Sequence, residues 1–147
     1  MRPERIELFE REHPGHALPA FTTLSDADAK KVRESLARAI GLDANVDPLA
    51  LTKALRARSE PVPGLNAENG PFSLEAAFRA ADIQPMPQLR LTWYRYDEID
   101  EMAVSDVAAY FDDLWYPRAD DLDIFDRSLG WILSINYYGE VLAQRLR

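Results

Sequence analysis

Between Trp115 and Trp131 the chain reads WYPRADDLDIFDRSLGW, with Asp120, Asp121, Asp123 and Asp126 enclosed by two tryptophans. Carboxylates this close together can ligate a hard cation, divide acid and base roles between two pKa values, or accept backbone N–H groups in a turn. A calcium loop needs oxygen ligands in alternation, a glycine at its sharp turn and a closing glutamate. Here Asp121 and Asp123 alternate, but Phe125 and Asp126 stand where a third ligand and the glycine belong, and no glutamate closes the run. Magnesium asks for fewer protein carboxylates, and a strand would put Asp121 and Asp123 on one side, so a small metal-dependent hydrolase using Asp120, Asp121 and Asp123 is one reading. The segment's single base, Arg118, is a thin supply of positive charge for phosphate chemistry. Turn chemistry accounts for Asp120, after Pro117, and for Asp126, ahead of Ser128 and Gly130, without invoking a ligand.

Other chemistry-bearing residues are sparse. His13 and His16 have zinc spacing in a Pro/Gly loop, with no third ligand nearby in sequence. Ser134 falls inside a predicted strand, lacks a GxSxG elbow, and has no histidine nearer than that N-terminal loop. Cysteine is absent, which removes disulfides, thiolate ligands and thiol nucleophiles, and neither a Walker loop nor a GxGxxG run occurs. No cofactor is expected.

The acids are concentrated in one place. Residues 1–96 hold 13 acids and 13 bases, whereas residues 97–126 hold 11 acids against Arg118, so this segment accounts for the net charge of −8. A field of that sign repels phosphate backbones and attracts cationic surfaces. The expected partner is a basic protein, with no nucleic acid. Tyrosines interleaved with the acids fit an interface that receives lysine and arginine through charge and cation–π contact. The expected contact residues are Asp97, Glu98, Asp100, Glu101, Asp112, Asp113, Tyr116, Asp121 and Asp123. A merely solvated acidic surface is the competing account, and a subunit or adaptor of a larger assembly is the remaining functional reading.

The elements that would position these residues follow from periodicity and caps. ERIELFERE sets Ile6 and Phe9 on one helical face, and residues 1–20 read as an N-terminal arm. SDADAKKVRESLARAIGL has a capping box at Ser25 and Asp28, apolar residues at Val32, Leu36 and Ile40, and Gly41 at its end. DPLALTKALRARSE starts with Asp47 as cap and Pro48 in the first turn, making a helical hairpin with its predecessor. PVPGLNAENGP reads as a connector rich in breakers, and FSLEAAFRAADI as a third helix. LRLTWYRY alternates as a strand. SDVAAYFDDLWYP returns to helical spacing with Ser105 as cap. LDIF, GWILSINYY and VLAQRL read as closing strands, the last two antiparallel neighbours. The expected architecture is α+β, one domain over residues 1–147, with a helical N-terminal half packed on an antiparallel sheet formed by the C-terminal half. No apolar run approaches the roughly 20 residues of a membrane helix, and the first residues lack the apolar centre of a signal peptide. A cytoplasmic protein is the expectation.

The ending WYPRADDLDIFDRSLGWILSINYYG resembles the C-terminal third of small bacterial proteins, some of them similar to the immunity partners of polymorphic toxins. The resemblance implies a non-enzymatic module that binds and masks a cognate toxin.

Overall fold

The computed structural model describes residues 1–93 and 95–146. In chain order the elements are α1 (Pro3–Glu12), β1 (Phe21–Thr23), α2 (Asp26–Ala39), α3 (Pro48–Arg58), β2 (Glu60–Asn66), α4 (Leu74–Ala80), β3 (Gln88–Trp93), β4 (Asp100–Ala103), α5 (Val104–Ala109), α6 (Phe111–Leu114), β5 (Leu122–Phe125), β6 (Trp131–Ile135) and β7 (Glu140–Arg145). The protein is α+β, as its sequence indicates. Its seven strands form one open sheet in the order β1-β4-β3-β5-β6-β7-β2, antiparallel at every pairing.

The caps act where the sequence places them. Ser25 Oγ accepts from the Asp28 N–H at 3.1 Å, and Asp47 accepts from Leu49 and Ala50. Each satisfies donors that a first helical turn leaves open.

The sheet separates two apolar clusters. Leu89, Leu91, Leu122, Ile124, Leu133 and Ile135 pack with Leu74, Phe78, Val107 and Leu114, so this cluster holds residues of α4, α5 and α6. Phe125 and Ile132 belong to a second cluster with Val32 and Leu36 of α2 and Leu51 and Leu55 of α3. Alternation along each strand makes this division: Ile124 and Phe125 are neighbours in sequence and belong to opposite clusters.

Three expectations need correction. The sheet is not built by the C-terminal half alone, since β1 and β2 come from the first half and form its two edges. The first part of the expected connector at residues 61–71 belongs to the edge strand β2: Pro61 and Pro63 lack a ladder donor, which an edge strand tolerates because one of its sides is unpaired. Helix formation after Ser105 is interrupted at Tyr110, giving α5 and α6, and the N-cap is Ala103 with no side-chain cap bond. β4 was hidden within the acidic run, because Asp and Glu are poor strand formers. Of the expected strand LRLTWYRY, Tyr94 lies outside the described residues and Tyr96 has left the ladder, with φ of 62°.

Gly139 closes the β6–β7 turn with φ of +85°, and a Cβ there would lie 2.5 Å from Asn66 Oδ1 and 2.8 Å from the Glu68 nitrogen. Both the backbone region and the space therefore require glycine. Gly139→Ala is expected to cost about 2 kcal/mol or more in urea unfolding, whereas Gly70→Ala should cost only about 1 kcal/mol, since Gly70 has positive φ but nothing within 4 Å of its missing Cβ.

Candidate functional site

The acids of residues 97–126 divide by direction. β4 sends Asp100 inward, where it is fully buried; its Oδ1 accepts from Thr23 Oγ1 at 2.6 Å and from the Met1 amino group at 2.9 Å. Glu101, one residue on, takes Arg90 Nε at 3.0 Å and Arg127 Nε and Nη2 at 3.0 Å each. These arginines, Arg127 foremost, hold the Glu101 carboxyl below its ordinary pKa against the opposing effect of burial. Asp113 is buried and bonded to His13 Nε2 at 2.9 Å. Asp126 accepts from the Met86 and Ser128 N–H groups and from the Trp131 indole, a turn-and-anchor role that no ligand need explain.

Asp123, on the central strand β5, pairs across to Thr92 and Ser134 and accepts from Ser134 Oγ at 2.6 Å. Beside it lies the buried Tyr96 phenol, without a well-formed hydrogen bond of its own. Burial pushes the Asp123 carboxyl above its ordinary range, ahead of the opposing hydrogen bonds. Asp121 points elsewhere: it accepts from the Tyr137 N–H at 3.0 Å and stands 3.6 Å from Arg56 of α3. The pair expected to share one face of a strand therefore does not, because β5 begins at Leu122 and Asp121 belongs to the turn before it.

Asp120 is bound most completely. Arg5 of α1 donates to both its oxygens, at 2.8 and 3.1 Å, and the Tyr116 N–H adds a third bond at 2.8 Å. The same guanidinium donates to the Leu114 carbonyl and lies 4.6 Å above the Trp93 ring and 5.5 Å from that of Tyr116. Sequence reasoning missed Arg5; its one signal was an arginine a turn before Phe9 on the helix.

Of the expected contact residues, Asp100, Asp113 and Asp123 are buried and Glu101 is paired with Arg90 and Arg127, so a partner would reach these four only by breaking bonds within the chain. Asp97, Glu98 and Asp112 are exposed, Glu98 while also pairing with the Met1 amino group, and Tyr116 and Asp121 are half-buried. Asp97, Glu98 and Tyr116 line a cleft of about 860 Å³ between α1, α3 and the β3–β4 connection. Arg2, Glu4 and Arg5 form one wall, Thr52 and Arg56 the other, and Arg95 stands at the lip. Its floor is aromatic and its rim carries both signs of charge. Through Arg56, Asp121 links this mouth to the β6–β7 turn, where the Tyr137 and Tyr138 rings lie 4.1 Å apart, tilted by 34°, and are 40% and 50% exposed.

Asp120, Asp121 and Asp123 each have a separate set of partners, so they form no convergent carboxylate site. Among the described residues, the metal-ligating side chains that do converge are Glu12, His13 and Asp113, with one ligand atom of each within 4.8 Å of the others. His16 is exposed and takes no part. No helix among the described residues is long and apolar enough to cross a membrane. Comparison with family models, curated proteins and solved structures found no match.

The raised pKa of Asp123 gives a testable sign. The folded state holds that proton more tightly than the unfolded chain, so its contribution is fully favourable below the unfolded-state pKa. It is lost as pH rises until the folded carboxyl ionises. Asp123→Asn, which keeps the shape and an acceptor for Ser134, should therefore be more stable than the parent at pH 7 and gain little at pH 4, measured by urea unfolding. Glu101, with its opposite shift, is common to both proteins and cancels. A variant destabilised equally at the two pH values would contradict this assignment.

Proposed function

We propose that the protein is a non-enzymatic binding module of the immunity or antitoxin type, which captures a basic partner protein at the mouth of the α1–α3 cleft. The observation that carries this reading is the grouping left once the inward acids are set aside. Asp97, Glu98 and Glu4 are exposed carboxylates around one concavity, over a floor containing Trp93 and Tyr116. Interfaces place aromatic anchors in a desolvated centre and charges on the rim, where the charges set approach and register more than final affinity. The exposed Tyr137–Tyr138 ring pair next to this mouth offers a second anchor of the residue type enriched at hot spots. The net charge of −8 adds long-range attraction for a cationic surface. The resemblance of the C-terminal third to small bacterial proteins, some of them similar to the immunity partners of toxins, points the same way.

The test is association kinetics with purified basic proteins encoded beside this gene. The double reversal Asp97→Lys/Glu98→Lys is expected to slow association about tenfold at low salt, with a much smaller effect at 0.5 M NaCl and little change in dissociation. Capture of such a partner at a rate indifferent to both the reversal and salt would remove the rim from the interface.

A further inference from the structure

The far end of α1 carries a grouping that partner binding does not use. Glu12 is the last residue of the helix, His13 is its C-cap, and Asp113 comes from α6, 100 residues along the chain. The fold brings one ligand-capable atom of each within 4.8 Å of the others. The imidazole is not free to turn: it stacks on the buried Phe9 ring at 4.4 Å, which aims Nε2 at Asp113 Oδ1, 2.9 Å away.

The geometry points to a divalent-cation site, best suited to Zn²⁺, formed by Glu12, His13 and Asp113. One imidazole nitrogen with carboxylate oxygens and no thiolate is a borderline donor set, and two carboxylates match the ion's charge. Ligand atoms around a tetrahedral Zn²⁺ at about 2.0–2.1 Å lie roughly 3.3 Å apart. His13 and Asp113 are already near that separation, and Glu12, being exposed, supplies the remaining movement. The ion takes the place of the proton between His13 and Asp113; His13 ligates through a deprotonated Nε2, and that proton passes to Nδ1 or to solvent. The bound ion fastens the C-terminal end of α1 to α6, at the opposite end of the helix from the Arg2–Arg5 stretch that walls the cleft. This inference is independent of the partner-binding reading.

The test is calorimetric titration of the full chain, stripped with EDTA and dialysed, with ZnCl2. One equivalent should bind, with an accompanying rise in melting temperature and weaker binding on acidification. His13→Ala and Glu12→Gln should each weaken binding at least about tenfold, and His16→Ala should leave it unchanged. Should His13→Ala fail to fold by circular dichroism, Glu12→Gln at its exposed position carries the same decision. Absence of saturable binding at millimolar Zn²⁺, or binding that survives Glu12→Gln and folded His13→Ala at full strength, overturns the site.

Discussion

The pairing of Arg5 with Asp120 is the constraint on which the candidate surface depends. Both side chains are largely withdrawn from water, at 13% and 5% exposure, and two guanidinium nitrogens meet two carboxylate oxygens. A buried pair of this kind contributes little relative to an apolar substitute, but loss of one partner leaves a charge stranded in a poor solvent. Here the pair is held on every side: the Tyr116 N–H completes Asp120, the Leu114 carbonyl completes Arg5, and the Trp93 ring lies beneath the guanidinium. The indole of Trp115 donates to the Asp120 carbonyl and that of Trp93 to the Leu114 carbonyl, so the turn that carries the aspartate is itself pinned. Through these bonds the short helix α1, far away in sequence, becomes one wall of the cleft. Its direction then delivers Phe9 and His13 to α6.

The same logic explains why so acidic a segment does not present a continuous acidic face. Charge counted along a sequence measures the long-range field, whereas the surface a partner meets depends on which way each side chain points. Alternation along β4 and β5 turns Asp100 and Asp123 inward, and the turns on either side of β5 bury Asp120 and Asp126. Each meets a donor from elsewhere in the chain: Thr23, Ser134, Arg5 and Trp131 respectively. The burial cost of a carboxylate is offset by such bonds. For Asp123, whose hydrogen-bond donor is the Ser134 hydroxyl and which has no guanidinium in contact, desolvation outweighs the bonds and raises the pKa.

What could be read in the sequence was local. The caps at Ser25 and Asp47, the helix breaks, the tight β6–β7 connection and the turn roles of Asp120 and Asp126 all depend on residues within four positions of one another. What could not be read depended on partners distant in the chain. Strand β1 is three residues long and acquires meaning only against Met102, Glu101 and Asp100. Strand β2 looks like a linker until β7 lies beside it. His13 lacked a third ligand within its own loop, and its neighbour Asp113 arrives from the other end of the fold. Arg5 looked like one more surface charge on an amphipathic helix, since nothing nearby in sequence marks it as the partner of an aspartate 115 positions away.

If Asp120 is an inward anchor for α1 and not part of an outward acidic face, its energetic coupling to Arg5 must be large. A double-mutant cycle with Arg5→Ala, Asp120→Ala and the combined variant, followed by urea unfolding, measures that coupling directly. Each single change is expected to cost about 3 kcal/mol, and the double change at least about 2 kcal/mol less than their sum. Additivity within about 0.5 kcal/mol would contradict it.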